Sequence, residues 1–329
     1  MAAPRFDILG IGNAIVDVVA PAEDRFLSKH DMRKGSMTLV DAQAAEALYT
    51  QMPPGQESSG GSVANSCAVA AGLGARVAYL GKVADDALGA SFRRDIEAAG
   101  VHFPSAPLVG AAPTARCLIL VTPDAERTMT VYLGACVSFG EADVDEALVA
   151  DSAVTYLEGY LFDPPSAQAA FRLAAAAARR AGRKVALSLS DPFCVDRHRA
   201  AFRDLVAGSV DILFANESEI CSLYEENDFT HAAERAAHDS ELAVLTRSGD
   251  GSLIRRGGES ITVAAVPTQV IDTTGAGDAY AAGFLAALTA GRPLDQCGRL
   301  GSLAAAEVIS HFGGRPIADL RAMAASAGF

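Results

Sequence analysis

Short apolar runs closed by turn residues recur along the chain and set its rhythm. "FDILGIGN" (6–13) reads as a buried strand ending in glycines, and "RVAYLGKVA" (76–84) as another. "DALGASFRRDIEAAG" (86–100) has the spacing of an amphipathic helix stopped by Gly100. From about residue 150 the alternation becomes regular. Strand "VTYLEG" leads to a helix over 165–181, "KVALSLS" to a helix over 196–207, and "VDILFAN" to a helix over 217–226, with strand "LAVLTRS" following. Apolar strands alternating with helices predict an α/β fold: a central, mostly parallel sheet with helices on both faces.

Two stretches depart from this pattern. Residues 17–41 and 104–134 carry strand-like runs, "RCLILVTPD" and "ERTMTVYLG" among them, with no helix between. They predict a small β-rich appendage inserted in two pieces, which over the sheet's edge would form a lid on a single domain spanning 1–329. No repeat, long linker or low-complexity tract interrupts the chain, and "AAAAARR" is simply good helix.

Composition narrows the function. Half the residues are hydrophobic, enough for a sizeable core, and the formal charge is −13, from 27 basic and 40 acidic residues. That balance argues against a nucleic-acid or anionic-membrane surface. The six cysteines are scattered without metal-ligand spacing and read as buried reduced thiols, which suits a cytoplasmic protein. The six histidines form no cluster, and the apolar run near the N-terminus is too short for a signal or membrane span.

The chemistry concentrates in "IDTTGAGDAY" (271–280). In α/β proteins ligands bind beyond the carboxyl ends of the strands, where helix N-termini present free N–H groups. The glycines of "TTGAGD" let a backbone approach an anion closely, and Asp278 falls in the first turn of the helix that follows. A plain helix start with a dipole-favoured acidic residue accounts for the pattern equally simply. Phosphoryl transfer accounts for the pairing: N–H groups hold the charge of the moving phosphoryl group while a neighbouring carboxylate takes the proton of the attacking hydroxyl.

With these residues in view, "DTTGAGDAYAAGF" resembles the C-terminal signature of the PfkB/ribokinase family of small-molecule kinases. "GGSVANSCAVAAGLG" (60–74) resembles its N-terminal glycine signature, and "ALGASFRRDIEAAGV" its characteristic helix. The similarity runs in order over nearly the whole chain. "GIGN" (10–13) is not a dinucleotide fingerprint, because Ile15 stands where its third glycine would fall.

The resemblance implies roles for particular residues. Asp278 would be the base, with Gly275, Ala276 and Gly277 forming the anion hole. Asn13 and Asp17 would face the acceptor, a carboxylate matching a pair of vicinal hydroxyls, and Gly60, Gly61, Ser62 and Asn65 would pack against it. Asn216 and Glu219 of "NESE" would organise Mg²⁺ through water. Thr246, Gly249, Gly251 and Thr273 would line the ATP phosphates and ribose. Arg127, an isolated cation on the lid, would close over the phosphoryl group. Within the family, "LSDPF", "DILFANESE" and "EGYLFD" most resemble the adenosine kinases. Phe193 and Tyr160 would then hold the acceptor's adenine, and Met129, Val131 and Leu133 the lid's apolar inner face.

The resemblance therefore implies ATP and Mg²⁺ as cofactors, K⁺ as an optional third ion, and adenosine phosphorylated on its 5′-hydroxyl. Asp191 and Thr274 depart from the adenosine kinase pattern, which keeps inosine and guanosine open beside a sugar or sugar-acid acceptor. A non-catalytic nucleoside-binding regulator would require a lost base or anion turn, and both are intact. A lid without a free edge strand would favour a monomer over the dimer common among ribokinases.

Overall fold

A computed structural model describes residues 3–124 and 126–329, so Ala125 of the second inserted stretch lies outside the described residues. The chain begins β1 (Phe6–Ile11), β2 (Ile15–Pro21), α1 (Asp24–Lys29), β3 (Met37–Leu39), α2 (Ala42–Gln51) and β4 (Gln56–Gly60). It continues α3 (Ser62–Gly72), β5 (Val77–Leu80), α4 (Ala87–Ala98), β6 (Val101–His102), β7 (Ala115–Val121), β8 (Arg127–Tyr132) and α5 (Glu146–Ala150). Then follow β9 (Ser152–Glu158), α6 (Pro165–Arg180), β10 (Lys184–Ser188), α7 (Pro192–Ser209), β11 (Ile212–Asn216), α8 (Glu217–Tyr224) and α9 (Phe229–Asp239). The last elements are β12 (Leu242–Thr246), β13 (Ser252–Arg256), β14 (Glu259–Val263), α10 (Ala276–Thr289), α11 (Leu294–Val308) and α12 (Leu320–Ser326).

Nine strands form the large sheet in the order β14-β13-β12-β11-β10-β9-β1-β5-β6. It is parallel from β12 to β6, and β13 and β14 add an antiparallel edge. This is the ribokinase-like α/β fold. Alternate residues of each strand enter different cores, as the two-residue period requires. Ile8, Tyr156 and Phe214 pack with α3, α10 and α11, whereas Leu9, Leu157 and Leu213 pack with α6, α7 and α9.

A second sheet holds five strands in the order β3-β8-β7-β2-β4. Val16, Val18, Leu118 and Leu120 join the core with Leu48 of α2. The opposite face carries Asp17, Cys117, Val131 and Leu39 in one cross-strand row and Val19, Ile119, Met129 and Met37 in the next. The sequence reading ended the first inserted stretch at 41; the sheet also takes in β4, with α2 before it. Its edges are β3 and β4; α4 covers β4, where the Ser59 N–H donates to Asp95 at 2.7 Å, whereas Met37 and Leu39 on β3 are exposed.

Capping explains most boundary differences. The helix expected at 196 starts at Pro192, because the Asp191 side chain accepts from the Phe193 N–H at 2.7 Å and proline suits the first turn. The helix expected to reach 226 ends at Tyr224, where Glu225 turns left-handed with φ 55°. The helix after Asp86 ends near Gly100, which has φ 87°. Five of the cysteines are buried, Cys221 is half-exposed, and all six are free thiols. Among the described residues no helix is long and apolar enough to cross a membrane.

Candidate active site

Helices α3 and α10 lie side by side, and their N-termini open at the same end of the large sheet. Gly61 caps α3 with φ 100°, and a Cβ there would stand 2.0 Å from the Asn13 carbonyl oxygen, so only glycine permits this approach. Gly275 caps α10 with φ 76° against Gly314. Ser62 Oγ donates to Asp278 Oδ1 at 2.5 Å and Ser66 Oγ to the Asp278 carbonyl at 3.0 Å. Burial raises Asp278 to about 6, with the Ser62 and Asn65 hydrogen bonds pulling the other way. A carboxylate near that value is ionised at neutral pH and basic enough to accept a proton.

The Ala276 N–H is already bonded to the Thr273 carbonyl at 3.2 Å. Among the described residues, the N–H groups of Gly275, Gly277 and Asp278 have no backbone acceptor, which leaves them for a ligand.

Arg127 is neither isolated nor exposed. It bonds Asp272 Oδ2 at 2.5 Å and Thr274 Oγ1 at 2.7 Å, tying β8 to the segment before the anion turn. Burial works against the charge of Asp272. Hydrogen bonds from Gly313 and Thr274, with the Arg127 guanidinium, prevail and hold its carboxyl below the ordinary value.

Around Asp278 stand further carboxylates. Asp17 packs against Gly60, and burial raises it to about 6 against the pull of Arg315 and Arg127. Glu158, which sequence reasoning missed, ends β9 fully buried; it accepts from Asn13 Nδ2 at 2.8 Å and from the Val63 N–H at 2.9 Å. Burial drives it to about 7 despite those bonds. Asn13 is thus committed to Glu158 through its amide nitrogen, with its carbonyl end still available.

Asn216 and Glu219 form a reciprocal helix cap. Asn216 Oδ1 accepts from the Glu219 N–H, and Glu219 accepts from the N–H and Nδ2 of Asn216 at 2.9 and 2.6 Å. Glu219 is buried and raised to about 7 by that burial. Among the described residues no group of three or more His, Cys, Asp or Glu side chains could hold a metal ion. The donor set fits a cation that arrives on phosphates and touches the protein through water.

Thr246 ends β12, Gly249 sits in a 3₁₀ turn, and Gly251, with φ 83°, returns the chain into β13. Thr273 is exposed ahead of the anion turn. The two aromatic residues are not core. Phe193 is 74% exposed on the first turn of α7, and Tyr160 is 43% exposed after β9. Tyr160 lies within the field of Asp191, Asp278 and Glu219, and burial of its hydroxyl together with those charges raises it. Met129, Val131 and Leu133 are half-buried.

The sequence profile of the pfkB family carbohydrate kinase matches residues 35–320. The chain belongs to that family. A solved structure of adenosine kinase from Sinorhizobium meliloti is 52% identical, with a TM-score of 0.90 over 98% of this chain and 100% of that one. Adenosine kinase 1 of Arabidopsis thaliana is 28% identical over 95% of this chain and 97% of its own length. An ATP-dependent ribose-1-phosphate kinase from Halopiger xanaduensis is 31% identical over 81% and 86%. This PfkB chain is therefore a phosphotransferase with a hydroxyl acceptor, adenosine kinase-like within a family of nucleoside and sugar kinases.

Proposed function

We propose that the protein transfers the γ-phosphoryl group of Mg·ATP to the 5′-hydroxyl of adenosine, giving AMP and ADP. The observation that carries the acceptor is Tyr160, 43% exposed and within the field of Asp278 and Asp191, with Phe193 exposed on the α7 turn that Asp191 caps. A flat base needs such an apolar slot, whereas a free sugar needs mostly polar groups. Met129 and Val131 of the small sheet, acting as a lid, with Leu133 just beyond β8, supply the facing apolar side. Asp17 accepts from the two ribose hydroxyls, with the Asn13 carbonyl end and Gly60–Gly61 closing that corner.

In the reaction Asp278 takes the 5′-hydroxyl proton as the oxygen bonds to the γ-phosphorus. The bond to the β-phosphate oxygen breaks, and ADP leaves. The N–H groups of Gly275, Gly277 and Asp278 receive the equatorial oxygens, and Arg127 adds positive charge from the lid once it leaves Asp272. Thr246, Gly249, Gly251 and Thr273 border the nucleotide. Asn216 and Glu219 would hold Mg²⁺ through water, and the ion would supply charge neutralisation on the phosphates.

An acceptor that already bears a phosphate, such as a ribose 1-phosphate, fits less well. Asp17, Glu158 and Asp191 make the acceptor side acidic, and Arg127 and Arg315 are already paired with acidic partners.

The test measures ADP release from Mg·ATP with adenosine, inosine, guanosine, ribose, fructose, 2-keto-3-deoxygluconate and ribose 1-phosphate. Adenosine should turn over, and Asp278→Asn should lower kcat by about 10²–10⁴-fold while binding persists. Turnover of a sugar alone overturns the acceptor. Near-wild-type kcat in the variant overturns the base.

A further inference from the structure

Strands β9 and β10 are parallel neighbours, so the turns that follow them leave the same edge of the large sheet. The turn after β9 is the 3₁₀ segment Gly159–Phe162, which carries Tyr160. The turn after β10 runs through Ser190, a left-handed residue with φ 69°, into α7 and Phe193. The two turns are in contact. A Cβ on Gly159 would stand 2.5 Å from the Leu189 carbonyl oxygen, and Cys194 Sγ donates to the Gly159 carbonyl at 3.1 Å.

Helix α7 is not one rod. His198 breaks it with φ −126° and ψ 21°, so residues 192–197 form a short piece that the rest of the helix does not align. A helix of so few residues depends on tertiary contacts to hold its place. At the break, two consecutive side chains turn to one carboxylate. His198 Nε2 lies 2.7 Å from Asp163 Oδ1, and Arg197 Nη2 lies 3.0 and 2.9 Å from the two Asp163 oxygens. A carboxylate only accepts, so His198 carries a hydrogen on Nε2. Asp163 directly follows the turn that bears Tyr160. Phe162 beside it is fully buried; its ring meets the His198 ring edge to face at 6.1 Å and stacks on Phe202 at 4.4 Å.

We propose that Asp163 is a positioning residue for the acceptor's base: by binding Arg197 and His198 it fixes residues 192–197, and Phe193 with them, against the turn that carries Tyr160. The inference rests on the proposed slot of Phe193 and Tyr160.

The Asp163 side chain is 36% exposed and that of Arg197 52%, and ion pairs so open to water add little to the stability of a fold. What they fix here is direction. Two adjacent residues of α7 on one carboxylate keep the short piece from sliding along the turn or rotating over it. Phe193, itself 74% exposed, has few neighbours of its own to hold its ring. Its place therefore follows from the backbone beneath it, and that backbone is tied to Asp163. Asp191 caps the same piece at its N-terminal end, accepting from the Phe193 N–H at 2.7 Å. The helical turn thus survives the loss of Asp163, and only its placement suffers.

The experiment measures kcat and the KM values for adenosine and Mg·ATP in wild type, Asp163→Ala, Asp163→Asn, Phe193→Ala and the two double variants. Asp163→Ala should raise the adenosine KM about three- to tenfold, with kcat and the Mg·ATP KM held within about twofold, because binding of the base alone is weakened. Asp163→Asn keeps an accepting oxygen for His198 and loses the ion pair, so its rise should be smaller. Because Asp163 acts through Phe193, neither substitution should raise KM further once Phe193→Ala is present. A change that merely loosened the fold would not vanish in that background. An adenosine KM equal to wild type in Asp163→Ala overturns the inference, as does the same fold-rise with and without Phe193. Should Asp163→Ala fail to fold, Asp163→Asn decides by the same comparison. A raised KM in Phe193→Ala beside unmoved Asp163 variants rejects only the role of Asp163. A wild-type KM in Phe193→Ala, or no turnover of adenosine, rejects the slot and the inference with it.

Discussion

Replacing Glu158 with glutamine isolates the energetic burden of a charge at the centre of this site. The side chain is fully buried at the end of β9, and burial lifts its carboxyl from 4.5 to about 7. Below about pH 4.5 folded and unfolded chains both carry the proton, and the folded state keeps its full advantage. As pH rises through 7 the unfolded chain ionises freely, while the folded chain must either hold the proton or bury a charge. Stability from this group is therefore present in acid and lost by about pH 8. The difference corresponds to about 2–3 kcal/mol between pH 5 and pH 8.

Asp17, Asp278 and Glu219 are raised as well and slope the same way in both proteins, so the comparison of variant with wild type singles out Glu158. Glutamine keeps the volume and accepts from the Val63 N–H, and Asn13 can turn its amide to receive the new NH₂. Urea unfolding of the substrate-free protein at pH 5, 6, 7 and 8 gives the answer. Glu158→Gln should gain on wild type steadily as pH rises. A constant difference, or a variant that loses ground toward pH 8, refutes the assignment of Glu158 as a desolvated acid.

Two further substitutions probe the lid and the base slot. Arg127→Ala should lower kcat by about 10²–10³-fold in steady-state assays, as loss of one transition-state donor does, with a smaller change in the adenosine KM; an unchanged kcat would mean that Arg127 serves only to anchor β8 to Asp272. Phe193→Ala should raise the KM for adenosine about tenfold by removing one stacking face, with kcat nearly preserved. An adenosine KM equal to wild type would remove Phe193 from the slot.

The glycine-led parts of the site were legible in the sequence because their chemistry is local. "TTGAGD" carries its turn, its helix start and its carboxylate within six letters, and the structure assembles Gly275 and Asp278 on one helix end. What escaped acts across distance. Glu158 meets Asn13 from 145 positions away, and Arg315 meets Asn65 from 250, so no spacing announces either contact. Arg127 looked free for the same reason: its partner Asp272 lies 145 residues on. Strand β4, "QESSG", escaped because it is an edge strand with polar residues and shows no apolar alternation. Helix α9, which buries Ala232, Ala233 and Ala236, also went unread although its polar and apolar faces are well separated.

The contact between α3 and α10 has a consequence for how such an enzyme diversifies. On the proposed reading every group that touches the acceptor lies at or before Phe193, apart from the base, and the groups that handle the nucleotide lie at or after Asn216, apart from Arg127. The two halves communicate through Ser62 and the Arg127–Asp272 pair. Selection can therefore redraw the acceptor half, one slot residue at a time, and leave the transfer half untouched. A lineage built this way can change what it phosphorylates without relearning how to phosphorylate.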